Sequence, residues 1–143
     1  MRRLFNTNFN NESMHFMLLV LRVTFSVFMI THGYMKLQML TAGGEIQFGD
    51  PIGVGQAASL YLAVFAEFFC SVLLLLGLAG RLATIPLIIT MIVAAFIVHA
   101  PDPFAKKEMA YHFLVVYLFL LVSGPGKYSI DHFISRSLNP RRR

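Results

Sequence analysis

The apolar residues of this chain fall into blocks that are long enough to cross a lipid bilayer. A transmembrane α-helix needs about 20 mostly apolar residues. Because lipid offers no hydrogen-bond partners, each block must satisfy its own backbone groups, as a helix does. A transmembrane β-barrel would instead alternate apolar and polar residues in segments of about ten, and the sequence shows no such alternation. These blocks therefore predict an all-α, polytopic membrane protein.

Composition and charge exclude several other classes of protein. The 143 residues are 57% hydrophobic and 13% charged, whereas a soluble domain averages about 45–50% apolar and about 25% charged residues. The net charge is +5, but the basic residues cluster at chain and helix ends, which is typical of lipid contact and not of nucleic-acid binding. Cys70 is the single cysteine, so an intramolecular disulfide and a Cys-x-x-Cys redox pair are excluded.

Glycine and proline residues divide the chain, 1–143, into four predicted transmembrane helices within a single membrane domain. The turn at Gly77–Arg81 is so short that the second and third helices must be antiparallel neighbours. Gly124-Pro125-Gly126 ends the fourth helix, because these residues do not continue a helix well. The predicted helices cover about 13–40, 57–79, 82–100 and 105–123, and a short helix at about 128–138 follows them.

The distribution of Lys and Arg predicts that both chain ends lie in the cytoplasm, because cytoplasmic segments carry most basic residues. The predicted cytoplasmic side holds Arg2, Arg3, Arg81, Lys127, Arg136 and Arg141 to Arg143, and the other side Lys36, Lys106 and Lys107. The last predicted helix has apolar residues at helical spacing beside basic ones, which is typical of a helix lying on an anionic membrane surface. These apolar residues are Ile130, Phe133, Ile134 and Leu138.

Ionisable residues inside the predicted helices are the best candidates for functional groups, because each costs about 2.5–3.5 kcal/mol at the centre of a span. By residue count, three histidines from three helices fall at a similar depth near the outer surface, with a lysine and a glutamate beside them. Helix bundles build cofactor and metal sites from such facing side chains. An alternative is that the histidines form interhelical hydrogen bonds or a polar vestibule. The candidate metal ligands are His32, His99 and His112, and the neighbouring residues are Lys36 and Glu108.

Arg22 and Glu67 form a second candidate group within the predicted bundle. Arg22 shares a face of the first helix with His32 and Lys36, and Glu67 lies near the middle of the second helix among small residues. Small residues allow a close helix contact that hides a carboxylate from lipid. The pattern predicts a structural ion pair between Arg22 and Glu67, with proton transfer as the alternative.

Four motifs in this order resemble the DoxX family over most of the chain, from about Leu18 to Phe133. The segment His-Gly-Tyr-Met-Lys-Leu at 32–37 resembles that family's His-Gly-x-x-Lys-Leu signature, which an Arg precedes, as Arg22 does here. Ser26 departs from the pattern, where a glycine is expected. The other matching pieces are Glu67, Leu73 to Leu78, Arg81-Leu82-Ala83 and Gly124-Pro125-Gly126-Lys127-Tyr128-Ser129-Ile130-Asp131.

The resemblance implies a four-helix protein of the bacterial inner membrane. Some members are described as the membrane subunit of thiosulfate:quinone oxidoreductase, and others associate with soluble redox-defence enzymes. Arg22, His32, Lys36 and Glu67 match the family pattern residue by residue.

The leading hypothesis is a membrane subunit of a quinone-linked oxidoreductase. A quinone would lie between the helices, with His32 or His112 exchanging a proton with a ring carbonyl, as a group that titrates near neutral pH can do. Lys36 would stabilise negative charge, and Glu67 with Arg22 would shape the pocket or carry protons. The predicted cofactor-binding set also includes His99 and Glu108. The sequence has no haem-attachment motif, iron–sulfur cysteines or nucleotide fingerprint, so electrons would come from a soluble redox partner.

Two alternatives belong to other functional classes. A non-catalytic scaffold would anchor a soluble redox enzyme at the membrane, and its histidines would be dispensable. A proton-coupled transporter of small solutes would use Glu67 as its carrier. Because the chain has no recognisable inverted repeat, transport would require a homo-oligomer.

Overall fold

The computed structural model describes residues 10–138, and within them every regular element is helical. Arg2, Arg3 and the terminal arginines 141–143, which the sequence predicts on the cytoplasmic side, lie outside the described residues. The helices are α1 (Asn11–Thr41), α2 (Gln56–Leu76), α3 (Gly80–Val98), α4 (Phe104–Ser123) and α5 (Ile130–Leu138). Within α2 the segment Phe65–Cys70 is π-helical, and α3 ends in a π-helical segment, Ala94–Val98.

Three of these helices, α1, α2 and α3, are long and apolar enough to cross a membrane. Helix α4 has 20 residues, but its first turns contain Lys106, Lys107 and Glu108. Large apolar side chains cover the outside of the bundle, among them Leu82, Val115 and Val122, each at least 65% exposed. An apolar surface of this extent is typical of contact with lipid. The fold class predicted from the sequence, an all-α protein with membrane-spanning helices, is therefore confirmed to the extent of three spans.

The ends of α2 depend on its flanking residues. At its start, Asp50 accepts hydrogen bonds from the backbone N–H groups of Val54 (3.0 Å) and Gly55 (2.8 Å) and from the Ser59 hydroxyl (2.8 Å). At its end, Gly77 takes a left-handed conformation with φ of 68°, and the Leu78 N–H donates to the Leu73 carbonyl. This is a Schellman-type ending. It stops the helix at Leu76, before the predicted end at Ala79.

Helices α1 and α2 cross in direct backbone contact at Gly33. A Cβ atom added there would lie 2.5 Å from the Phe68 nitrogen and 2.6 Å from the Glu67 carbonyl carbon. The contact falls on the π-helical segment of α2, a wide turn of a kind that is frequent at functional sites. Gly33 therefore fixes which residues of α1 face Glu67.

One end of the bundle is closed by a polar cluster that we call the clamp. The Arg22 guanidinium donates to the carbonyl oxygens of Pro125 (2.8 Å) and Tyr128 (2.6 Å). Asp131 accepts hydrogen bonds from the N–H groups of Ala79 (2.7 Å) and Gly80 (2.8 Å), which begin α3. These contacts tie α1, the α2–α3 turn and the α4–α5 loop together. The predicted ion pair between Arg22 and Glu67 is wrong, because Arg22 bonds to these carbonyls and Glu67 bonds elsewhere.

Candidate functional site

Glu67 forms an ion pair with Lys36 in the interior of the bundle. The Glu67 side chain is 4% exposed and that of Lys36 is 26% exposed. Oxygen Oε1 of Glu67 accepts the Lys36 hydrogen bond, whereas Oε2 is buried without a protein partner. The Phe48 ring lies 5.9 Å from the Lys36 nitrogen, a cation–π distance. The pair thus holds a cation in place and leaves the other carboxylate oxygen buried without a hydrogen bond.

A cavity of about 180 Å³, here called the chamber, lies beside this pair. A cavity of about 150 Å³ in the core of another protein is known to hold benzene, so the chamber has room for one aromatic-sized ring. One side of the chamber is polar and the other side is apolar. Its lining includes His32, Lys36, Glu67, His99 and Lys106, and, on the apolar side, Met29, Met91, Ala94, Met109, Ala110 and Phe113.

His99 is oriented by a neighbouring carboxylate. Its Nδ1 lies 2.8 Å from Oδ2 of Asp102, and Lys106 reaches the other oxygen of Asp102 at 3.3 Å. The hydrogen bond from His99, and then that from Lys106, hold the pKa of Asp102 below its ordinary value. Because an ionised carboxylate only accepts hydrogen bonds, the proton of neutral His99 resides on Nδ1, which leaves Nε2 as an acceptor. His99 is thereby presented to a ligand in one defined tautomer.

His32 reaches the chamber from α1. Its ring is half-buried and meets the Phe113 ring edge-on at 6.3 Å between centroids. Its neighbour Gly33 touches the backbone of Glu67, so His32 lies at the level of Glu67. Glu67 itself lies about 16 Å along α2 from Gln56. The chamber therefore extends from the exposed Lys106 and the partly exposed His99 to the buried Glu67, deeper than the outer level at which residue counting places the histidines.

Some of the predicted site residues are not at the chamber. His112 and Glu108 are exposed and line no part of it, and Arg22 lies in the clamp. The chamber face of α4 carries Lys106, Met109, Ala110 and Phe113, spaced by three and four residues as one helical face requires. His112 and Glu108 are four residues apart on a different face. Within residues 10–138 no three His, Cys, Asp or Glu side chains lie together as metal ligands, so the predicted three-histidine cluster does not form there.

Two chamber residues, Lys106 and Phe113, were not singled out as site residues from the sequence, and neither was Asp102, which orients His99. Asp102 follows His99 by three residues, a spacing at which side chains on a turn can meet. The positions of Lys106 and Phe113 follow from their place on the same face of α4 as Ala110. The spacing of Asp102 from His99 and the shared face of α4 are both present in the sequence. Such patterns are common, so they do not identify site residues until the fold is known.

A second cavity of about 510 Å³ runs between α2 and α3, and we call it the cleft. It shares four residues with the chamber, namely Lys36, Glu67, Ala94 and His99. The rest of its lining is mostly apolar: Phe48, Pro51, Ile52, Ser59, Leu62, Ala63, Phe65, Ala66, Pro86, Ile89, Thr90, Val93 and Val98. The two cavities thus meet at the ion pair and at His99.

An ion pair and two histidines around a chamber between apolar helices define a helical membrane protein with a polar site inside its bundle. The chain belongs to the DoxX family, whose model matches residues 17–100. It is 30% identical over 125 residues to "Putative oxidoreductase CatD" of Bacillus subtilis (strain 168), across 87% of this chain and 91% of that protein. It is 28% identical over 127 residues to an "Uncharacterized protein" of Haemophilus influenzae (strain ATCC 51907 / DSM 11121 / KW20 / Rd), across 82% of this chain and 90% of that protein. No solved structure matches the chain significantly.

Proposed function

We propose that this protein is the membrane subunit of a quinone-linked oxidoreductase and that the quinone ring occupies the chamber. The observation that carries the proposal is the position of Lys36, His32 and His99 around a space of ring size. A quinone presents two carbonyl oxygens, and these three side chains supply a cation and two imidazoles to meet them. The relative that is named an oxidoreductase supports the same class of reaction.

Each chamber residue has a distinct role in this proposal. Lys36 balances the negative charge that a reduced ring acquires, and Glu67 keeps the ammonium group in place. His32 hydrogen-bonds a ring oxygen and passes a proton to it, because imidazole gains and loses a proton near neutral pH. His99 donates to the other ring oxygen from Nε2–H in its imidazolium form, and after that proton has passed to the ring its neutral Nε2 accepts a hydrogen bond from the quinol hydroxyl. Phe113 supplies an apolar wall. A quinone becomes a quinol by taking up two electrons and two protons, and a soluble redox partner is the proposed source of the electrons.

We further propose that α4 also crosses the membrane, which gives four spans in the bacterial inner membrane. Lys106 and Lys107 lie at the start of α4, where long side chains can extend towards the headgroups. The clamp end of the bundle carries Arg81, Lys127 and Arg136, which supports a cytoplasmic position for that end. Helix α5 has exposed apolar side chains, among them Phe133 at 69% and Leu138 at 79%, and would lie on the cytoplasmic leaflet.

Purification in mild detergent without a chelator, followed by assays of extractable quinone and bound metal, tests the proposal. We expect stoichiometric quinone in the wild-type protein and in His112→Ala, the matched control, because His112 is exposed and away from the chamber. We expect its loss in His32→Ala, His99→Ala and Lys36→Met. A folded protein that carries no quinone and does not bind an added one would contradict the proposal and favour the scaffold.

The same preparations separate the remaining alternatives. Stoichiometric metal that disappears with His32 and His99 would identify a metal site. Solute uptake into proteoliposomes that follows a pH gradient and requires Glu67 would identify a transporter. Equal quinone content in the wild-type protein and in all three chamber variants would show that the quinone is carried by the lipid and not by the site.

A further inference from the structure

The cleft between α2 and α3 has the chemistry of a channel for hydrocarbon. Two hydroxyl groups reach it, and both are already hydrogen-bonded: Ser59 to Asp50 at 2.8 Å and Thr90 to the Pro86 carbonyl at 2.9 Å. Small side chains, Ala63 and Ala66, line its α2 wall. Away from the ion pair and His99, the cleft therefore offers a ligand mainly apolar contacts.

The charged and imidazole groups of the cleft, Lys36, Glu67 and His99, are all at the end that it shares with the chamber. A molecule that filled both cavities would need a compact polar ring at one end and a long apolar chain at the other. This arrangement also fixes its direction, with the ring at Lys36 and His99 and the chain running between α2 and α3.

We infer that the ligand of this site is a long-chain quinone that enters sideways from the bilayer, with its chain in the cleft. This inference rests on the proposed function, because it takes a quinone ring as the occupant of the chamber. It adds that the chain contributes to binding and that the path to the site runs between α2 and α3, not from water.

A phospholipid fits the two cavities less well than a long-chain quinone does. Its headgroup carries a phosphate charge that belongs at the bilayer surface. Glu67, at the shared end of the cavities, lies about 16 Å along α2 from the first residue of that helix, and its side chain is 4% exposed. A phosphate there would have to leave water, which is costly for an anion. A neutral ring carries no such cost.

A tryptophan placed at the edge of the cleft provides a direct test, because the natural chain contains none. Ile89 lines the cleft and is 56% exposed, so Ile89→Trp would report on a chain lying beside it. Val115 is 65% exposed on α4 and lines neither cavity, so Val115→Trp is the matched control. The probes are a benzoquinone with a decyl chain brominated near its end and the same compound without bromine, both added to nanodiscs.

We expect saturable, bromine-dependent quenching at Ile89→Trp, at least about twofold stronger at low probe concentration than at Val115→Trp. The quinone ring also quenches tryptophan fluorescence. The difference in quenching between the brominated and the bromine-free compound therefore reports the position of the chain alone. Equal, non-saturating quenching at the two positions would overturn the inference, because it would show a chain dissolved in lipid only.

Filling the cleft gives a second, independent measurement. Ala63→Leu adds bulk inside the cleft, whereas Ala57→Leu adds the same bulk at an exposed position of α2 outside it. We expect Ala63→Leu to weaken binding of decyl-benzoquinone by roughly tenfold, because the larger side chain leaves room for fewer methylene groups of the decyl chain to be buried. Binding of benzoquinone without a chain should be unchanged, and Ala57→Leu should behave as the wild-type protein.

The outcomes distinguish failure of this inference from failure of the proposed function. If the wild-type protein binds the ring equally well with and without a chain, the cleft is not the chain site, but the chamber still binds a quinone. If the wild-type protein binds neither compound, both proposals fall. Should Ala63→Leu not fold, the tryptophan measurement decides alone, because it leaves the inside of the cleft intact.

Discussion

At the scale of single residues, Lys36 and Glu67 define the site, since they are the charged pair that the bundle encloses. Burying the pair costs desolvation free energy for both charged groups, and replacing such a pair with hydrophobic residues is often neutral or stabilising. A fold that needed only stability would not require it. Its position beside the chamber therefore favours a role in binding or chemistry.

A double-mutant cycle on this pair separates stability from function. Glu67→Met or Lys36→Met alone should destabilise the protein by about 3 kcal/mol, because each leaves a charged partner unpaired inside the bundle. The double variant Lys36→Met/Glu67→Met should recover most of that stability while it fails to bind quinone. Thermal unfolding in detergent and quinone content measure the two effects. Recovery of quinone binding in the double variant would contradict the role assigned to Lys36.

Arg22 serves the clamp, and its substitution should affect stability more than the site. Arg22→Lys cannot reproduce the two hydrogen bonds of the guanidinium to Pro125 and Tyr128. We expect a loss of about 1.5–3 kcal/mol in the free energy of unfolding, the usual value of a hydrogen bond that involves a charged group. Quinone bound per folded molecule should not change. A variant of normal stability that loses quinone would instead place Arg22 in the site, as the sequence predicted.

At the scale of helices, the crossing of α1 and α2 at Gly33 determines the geometry of the site. Gly33→Ala places a methyl group 2.5 Å from a backbone nitrogen of α2, and neither backbone can yield as a flexible side chain would. We expect destabilisation of about 1–3 kcal/mol or more, as in other overpacked contacts. Lys36 should also lose its alignment with Glu67, so quinone content should fall.

The matched control for Gly33→Ala is Gly49→Ala, in the loop between α1 and α2. No atom lies within 4 Å of a Cβ added at Gly49, so this variant should unfold at the temperature of the wild-type protein. If both variants were equally stable, α1 and α2 would be further apart at Gly33 than the structure places them. Unfolding temperature and quinone content, measured together, decide between these outcomes.

The helices could be predicted from the sequence, whereas the contacts between them could not. Apolar block length and glycine or proline punctuation predicted the all-helical class and the membrane-spanning helices. The prediction of an Arg22–Glu67 pair was wrong because residues on one helix face recur at every turn. The sequence pattern does not show at which of these turns the second helix crosses the first. Gly33 sets that register, and Arg22 is eleven residues away from it, or about 16 Å along the helix.

The wide turns in α2 and α3 are a second reason why the site was only partly predicted. A helical wheel assumes 3.6 residues per turn, and the π-helical segment Phe65–Cys70 departs from that period at Glu67. The wheel placed Glu67 among small residues but did not bring Lys36 to it. His32, Lys36, Glu67 and His99 were predicted as site residues and do line the chamber. His112 and Glu108 shared their predicted depth but lie on another face of α4.

At the scale of the whole molecule, the two ends of the bundle differ in chemistry. At the clamp end, Arg22 donates hydrogen bonds to backbone carbonyls and Asp131 accepts hydrogen bonds from the start of α3. These contacts make this end of the bundle rigid. The other end contains the chamber and the cleft, which give access. A rigid end opposite an open one suits a protein that must admit a ligand without loosening its fold.

The position of α4 in the membrane decides whether this arrangement spans the bilayer. If α4 crosses and the clamp end is cytoplasmic, as proposed, the α1–α2 loop and the α3–α4 turn lie on the outer side of the membrane. Cysteines at Gly44→Cys, Pro103→Cys and Ser135→Cys sample these three regions, all at exposed positions. A Cys70→Ala background removes the natural thiol, which is buried, and keeps a small side chain in its place.

An impermeant maleimide reagent applied to intact cells then gives the topology. We expect labelling at Gly44→Cys and Pro103→Cys, and labelling at Ser135→Cys only after permeabilisation. If Pro103→Cys and Ser135→Cys are labelled from the same side, α4 does not cross and the chain has three spans. Labelling of Ser135→Cys alone in intact cells would invert the orientation and would place the chamber on the cytoplasmic side. That last result would require a cytoplasmic electron-donating partner at the chamber end, whereas the expected orientation requires the partner to reach that end from the outer side of the membrane.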